Sequence, residues 1–421
     1  MAIIKPFKGL RYNQEKILDF SKVICPPYDV VNQEEYNKLI KKSPYNLISL
    51  ELPQSAKDPY KKARDLFEEW KEKSILKKDL NDSIYIYEEE FLLKNEIKKI
   101  KGFICIVKLE EFSKQVILPH EETLSKAKDD RFNLLKETSC NFSQIYSLYI
   151  DDKKRTKVDI DKLSQGKPEI ETKSDDGIIH RLWIIDDKNI IEKITNDFKD
   201  RKLYIADGHH RYETALKYSK VSPLESSNYV MMMLTDIESD GLVILPTHRI
   251  IKNLHNFDSN TLIEQCKTYF DIVYWDNINT LESKLYSYYL DNKKAFAFCY
   301  DSKKACIMVL RSTDIIDKLL PQKSTAAKDL DVTVLHELIL KTFLGIDNEN
   351  MKNQTNLSYT RCIKEAINSL KENDVNCSFI LNPTKISQIK NIALAGEKMP
   401  QKSTYFYPKI ITGLVMNDLN E

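Results

Sequence analysis

The residues best suited to chemistry stand in one run, Tyr204-Ile205-Ala206-Asp207-Gly208-His209-His210-Arg211-Tyr212. Its apolar start reads as the end of a buried strand. Asp207 can N-cap a following helix, and Gly208 supplies a tight turn. His209, His210 and Arg211 then fall in the first helical turn, where backbone N–H groups point outward and the dipole favours negative charge. Two imidazoles and a guanidinium at that end make a phosphate cradle. The plainer alternative is an Asp-capped surface helix. Basic residues oppose the dipole at a helix start, so His-His-Arg there favours the cradle.

Other groups are weaker on their own. Pro119-His120-Glu121 closes a β-branched run and opens a polar helix. A glutamate at such an edge serves equally as a general base or as a favourable charge at a helix N-terminus. Pro246-Thr247-His248-Arg249 follows a strand, so His120, His248 and Arg249 are candidate pocket residues. Pro-Gln-Lys-Ser-Thr occurs at 321–325 and again at 400–404. Lys402, Ser403 and Thr404 offer a cation and two hydroxyls, a second phosphate grip; the second copy is favoured because it follows a helix stop. Cys25-Pro26-Pro27-Tyr28-Asp29 is a stiff loop that fits pocket lining and structural punctuation equally well. His180 and His336 stand beside apolar residues and read as core histidines. No zinc-ligand spacing occurs, and a divalent cation on one carboxylate plus substrate phosphates is compatible with the chain.

The 421 residues are enough for a large core and several subdomains. A net charge of +1 gives no reason to expect nucleic acid or an anionic membrane as partner. No run reaches the roughly 18 apolar residues of a spanning helix. Eight scattered cysteines with no Cys-x-x-Cys pair read as buried reduced thiols, hence a cytoplasmic protein. The nine glycines are too sparse for the Walker, dinucleotide-binding or protein-kinase loops.

Periodicity supplies the elements that must position these residues. A helix is expected after Asp58-Pro59, with Ala63, Leu66, Phe67 and Trp70 as its core stripe. Strands are expected at 83–87, 102–109, 181–185, 203–206, 229–234 and 242–245. A polar helix is expected over 127–136, a hairpin at 294–300 and 305–310, a short strand at 378–381, and helices at 333–343 and 385–394. Residues 151–177 read as a polar surface excursion or linker, and 347–356 as a loop. The mixture is α/β or α+β.

Three motifs in order make a resemblance. Pro119-His120-Glu121, Asp207-Gly208-His209-His210-Arg211, and Asn382-Pro383-Thr384-Lys385 with Pro400-Gln401-Lys402-Ser403-Thr404 are similar to the signature of the free serine kinases of the ParB/sulfiredoxin fold. The resemblance implies a ParB/sulfiredoxin-like phosphate-binding core at 113–252, an added N-terminal α/β extension at 1–112, and a C-terminal α/β subdomain at 253–421 that contributes the Lys-Ser-Thr loop. It implies phosphorylation of free L-serine to O-phosphoserine with Mg2+. Glu121 inherits the role of base, and Asp207 that of catalysis or metal positioning. Gly208, His209, His210, Arg211, Lys402, Ser403 and Thr404 would hold phosphates.

The whole chain looks more like a long branch that includes pyrophosphate-dependent members. It has no clear adenine-binding signature, so pyrophosphate is expected ahead of ATP or ADP. His209 stands where sulfiredoxins carry their catalytic cysteine, which argues against sulfinic-acid repair. A ParB-type nucleotide switch and net hydrolysis of phosphoserine are the alternative readings.

Overall fold

The computed structural model of the protein describes residues 1–55, 57–121, 123 and 125–420, apart from the side chains of Ser125 and Lys126. The fold is mixed α/β. The chain divides into two compact units. One takes Met1–Pro119, Thr123–Val243 and Pro408–Glu421; the other takes His120–Glu122 and Ile244–Tyr407.

The first unit is built on a nine-stranded sheet. Its strands are β1 (Ile4–Lys5), β2 (Ile84–Leu93), β3 (Glu96–Lys108), β4 (Ile117–Leu118), β5 (Ile145–Tyr149), β6 (Ile170–Lys173), β7 (Ile179–Ile185), β8 (Leu203–Asp207) and β9 (Tyr229–Asp236). The order is β4-β8-β5-β9-β3-β2-β7-β6, with β1 on β3. Residues 1–112 and 113–243 therefore share one sheet, where the sequence reading expects consecutive separate segments. The β2–β3 hairpin turns on Lys94 and Asn95, both at positive φ, as a tight two-residue turn requires.

Helices form where their caps and stripes lie. α1 (Pro59–Glu72) is capped by Asp58, which accepts from the amides of Tyr60 and Lys61, and it buries Ala63, Phe67 and Trp70. α2 (Ser125–Thr138) covers the expected polar helix. The expected excursion at 151–177 is a correction: it holds α3 (Arg155–Leu163) as well as β6. That helix buries only Thr156 and Ile160 and has no side-chain cap, so its sequence reads as polar throughout. α4 (His209–Ser219) follows β8 and buries Tyr212, Ala215 and Tyr218 in the apolar cluster with Ile145, Leu203 and Ile205.

The second unit holds an antiparallel sheet of β10 (His248–Lys252), β11 (Phe270–Trp275), β12 (Ala295–Asp301), β13 (Lys304–Leu310), β14 (Leu357–Thr360) and β15 (Val375–Leu381), in the order β11-β13-β12-β15-β10-β14. The β12–β13 pair is the expected hairpin. The helix expected at 333–343 begins earlier, as α5 (Asp331–Val334), and winds from Leu335 to Phe343 as a π-helix. The Leu344 amide reaches back five residues to the Ile339 carbonyl at 2.9 Å. The expected loop at 347–356 is another correction. It contains α6 (Asn348–Asn353), whose N-cap Asp347 accepts from the Asn350 amide at 2.8 Å. α7 (Ile386–Leu394) ends before Gly396, as expected.

Candidate functional site

Position 207 owes its environment to a register shift. Along β8, Tyr204 faces Leu148 and Ile205 faces Ser147, but Asp207 faces Tyr146. Ala206 is thus an extra residue, a bulge of the kind that re-aims a side chain. Without it Asp207 would stand opposite Ile145, a member of the apolar cluster that also holds Ile205. The carboxylate instead meets two cations. Lys409 Nζ donates to Oδ1, and Arg211 Nη2 donates to Oδ2 at 2.9 Å. Burial alone would raise this carboxyl, but Lys409 and Arg211 outweigh it and hold the group well below the usual carboxylate range.

The N-cap of α4 is Gly208 at φ +92°, with no side-chain cap, so the expected capping role of Asp207 is corrected. Its carboxylate is committed to Lys409 and Arg211. Gly208 is required on two counts: the left-handed backbone, and Arg211 folded back over the turn. A Cβ at 208 would lie 3.0 Å from Arg211 Nε and Nη2. Arg211 Nη1 also donates to the Gln144 carbonyl at 2.5 Å. His209 is buried and His210 is partly exposed.

Neighbouring residues that the sequence reading does not single out complete this end of the unit. Lys409 is the first, 202 positions from its carboxylate. Arg131, buried in α2, donates to the Glu51 carbonyl at 2.7 Å and stacks on Tyr28 at 3.9 Å. The stiff Cys25–Asp29 loop therefore provides an aromatic platform. Arg131, Glu51 and Arg211 all line one small cavity of about 50 Å3.

The second unit brings together motifs that are far apart in sequence. The Met399 amide donates to the His120 carbonyl at 2.7 Å, so the two segments run side by side. The Lys402 amide donates to Glu121 Oε1 at 2.8 Å. His120 Nε2 and Thr404 Oγ1 share a hydrogen bond of 2.9 Å. Lys402 itself sits in the left-handed region at φ +57°, an uncommon state for a lysine that the surrounding structure must hold. Thr384 Oγ1 donates to the Ser403 carbonyl at 2.8 Å, tying the Asn-Pro-Thr motif to the same loop. The first Pro-Gln-Lys-Ser-Thr copy does something simpler: Ser324 caps a one-turn helix.

His248 and Arg249 part company because neighbours on a strand face opposite ways. Thr247 and Arg249 line a polar cavity of about 210 Å3, and His248 does not. Burial, then the charge of Arg249, pushes the His248 imidazole down to about 4. Arg249 is 1% exposed and donates to the carbonyls of Thr247 and Lys402 and to His336 Nε2. His336 is thereby a neutral acceptor, in keeping with its expected core role. His180 is likewise buried, between Tyr87 and Ser174. Of the eight cysteines, all free, only Cys362 is exposed. Among the described residues no helix is long and apolar enough to cross a membrane.

Solved structures similar to this chain include a free serine kinase variant in complex with ADP, at 12% identity over 73% of this chain and 90% of that one, with a TM-score of 0.39. A conserved hypothetical protein from Pyrococcus furiosus matches at 14% identity, 72% and 90% coverage, and a TM-score of 0.35. SbnI from Staphylococcus aureus matches at 10% identity, 75% and 89% coverage, and a TM-score of 0.36. At these identities and scores the chemistry has to be argued from the site. No curated protein matches the sequence. The model of the family described as "Protein of unknown function (DUF1015)" matches residues 4–333, and the chain belongs to that family.

Proposed function

We propose that the protein is a phosphotransferase that phosphorylates the hydroxyl of free L-serine to give O-phospho-L-serine. The observation that carries this reading is the meeting of Glu121 with the Lys-Ser-Thr loop. A general base and a phosphate grip, about 280 residues apart in sequence, lie within one hydrogen bond of each other.

In this reading Glu121 takes the serine hydroxyl proton as the oxygen attacks phosphorus. The bond from phosphorus to the donor's leaving oxygen breaks, and the leaving phosphate departs. Lys402, Ser403 and Thr404 hold phosphate in the second unit, while the turn from Asp207 to Arg211 does so in the first. Offsetting charge on the transferring group is where most phosphoryl-transfer catalysis arises. His209 and His210 add polar groups at the start of α4, beside its first-turn amides.

The donor proposed is inorganic pyrophosphate, ahead of ATP or ADP, because the sequence carries no adenine-binding signature. Mg2+ would neutralise donor phosphate. Both Asp207 oxygens already accept from cations, and no cluster of three His, Cys, Asp or Glu occurs among the described residues. The donor set therefore fits an ion carried mainly by substrate phosphates, with Asp207 at most one ligand.

Phosphorus NMR tests the reading. The protein is incubated with Mg2+ and L-serine, in parallel with pyrophosphate, ATP and ADP. O-phosphoserine with pyrophosphate alone supports the full reading. O-phosphoserine with ATP or ADP alone replaces the donor. No phosphoserine from any donor, with saturable nucleotide binding, overturns the kinase in favour of a ParB-type switch. Phosphate release from added phosphoserine without net synthesis would assign the reverse direction.

A further inference from the structure

The polar cavity of the second unit holds two opposite charges that the protein itself does not pair. Arg249 is almost fully buried, yet its hydrogen bonds go to two carbonyls and an imidazole. It makes no ion pair among the described residues. Asp331, the first residue of α5, lines the same cavity and likewise has no ion pair. The two lysines whose charges act on it are engaged elsewhere. Lys294 pairs with Asp329 at 2.7 Å, and Lys385 donates to the Tyr289 carbonyl at 3.1 Å and to Asn292 Oδ1. Buried charges are normally paired, because desolvating an unpaired ion costs several kcal/mol. Burial lifts the Asp331 carboxyl to about 7; Lys294, Lys385 and a hydrogen bond from the Ala295 amide oppose the rise, and Asp329 adds to it.

The wall of this small polar cavity carries Arg249, Lys293, Lys294 and Lys385 beside Asp329 and Asp331, with Lys294 and Asp329 paired to each other, so it offers charges of both signs to a zwitterion. The volume, about 210 Å3, falls below the roughly 300–1,000 Å3 of sites for drug-sized ligands. Asn382, Thr384 and Ser403 add hydrogen-bonding groups to the same wall.

We propose that this cavity is a free α-amino-acid site, in which Asp331 receives the ammonium group and Arg249 the carboxylate. It deepens the serine-kinase reading, on which the choice of serine as ligand rests.

Calorimetric titration of the full-length protein with L-serine, alone and with pyrophosphate present, tests the site. Saturable binding is expected, weakened at least tenfold in Asp331→Asn and lost for N-acetyl-L-serine and for serine methyl ester, each of which removes one of the two charges. Asp331→Glu, which keeps the charge, should recover part of the affinity, and thermal melting confirms that each variant is folded. Unchanged serine affinity in a folded Asp331→Asn protein overturns the assignment, as does absence of amino-acid binding in the wild type. The two readings fail separately. Asp331-dependent binding without phosphoserine from any donor keeps the site and removes the kinase. Phosphoserine formation with an unchanged KM in Asp331→Asn keeps the kinase and removes the site.

Discussion

At Asp207 a carboxylate is answered on both oxygens by cations of the protein, Lys409 and Arg211. In the 210 Å3 cavity, by contrast, Asp331 and Arg249 are held without an ion pair. The first arrangement is self-sufficient. A phosphate arriving there, as proposed, would compete with Asp207 for Arg211, so its binding would be tuned by an internal anion. The second arrangement lacks ion pairs, and a ligand with both charges would supply them. The difference is that one carboxylate has its counterions within the chain, and the other, partly buried, leaves room for a ligand to supply one.

The largest effect is expected from Glu121→Gln. Removing a general base typically costs 10²–10⁴-fold in rate. Phosphoserine formation should fall by about that factor while serine binding persists, and undiminished turnover would remove Glu121 from the chemistry. Lys409→Ala attacks the self-sufficient site. Removing one partner of a buried ion pair typically costs about 3–5 kcal/mol, and the value here should fall at or below that range because both groups keep some exposure. Denaturant titration gives the number. Because the Asp207 carboxyl is depressed in the folded protein, its stabilisation is present above the ordinary carboxylate pKa and is lost as pH falls. Lys409→Ala should therefore lose less stability than the wild type as pH falls through the carboxylate range, so the gap between the two narrows in acid. Equal acid-unfolding curves would contradict the pairing.

Asp331→Asn probes the incomplete site in the opposite direction. The folded carboxyl is raised to about 7, so ionisation disfavours the folded state as pH rises from about 4, and the full penalty stands above 7. At 1.36 kcal/mol per unit, a cost of up to about 4 kcal/mol is relieved by asparagine at pH 8 and vanishes below about pH 4. Thermal melts at the two pH values test this; a variant less stable than wild type at pH 8 would show that Asp331 is already satisfied. The smallest effect is expected from Gly208→Ala, about 1–2 kcal/mol for a side chain in the left-handed region. It should also displace Arg211 and so weaken pyrophosphate binding, whereas serine binding should be untouched. Equal loss of both ligands would blur the contrast between the two regions.

How much of this was legible in the sequence depended on distance along the chain. The strand–turn–helix at 203–219 could be read because hydrophobic run, glycine and helix follow one another. The hairpin at 295–310 could be read for the same reason. The polar segments holding Arg155–Leu163 and Asn348–Asn353 were missed because those short helices bury one or two side chains each and carry no apolar stripe. The partnership of Lys409 with Asp207 had no local signal, since a lysine after Tyr-Phe-Tyr-Pro looks like any other. Arg249 was flagged by its place after a strand, but Asp331 reads as an ordinary acidic residue at a helix start. Only a cavity shared by both reveals that neither has a counterion. The π winding from Leu335 to Phe343 leaves no mark in the apolar spacing, which fits an α-helix equally well.

The bulge at Ala206 makes the position of the carboxylate a matter of counting. A strand alternates faces with every residue, so parity decides whether position 207 looks into the apolar cluster or away from it. Regular pairing at the present length would set Asp207 opposite Ile145, whereas deleting one residue between Leu203 and Ala206 would remove the bulge and leave Asp207 opposite Tyr146. The placement of the motif therefore depends on pairing register as much as on composition.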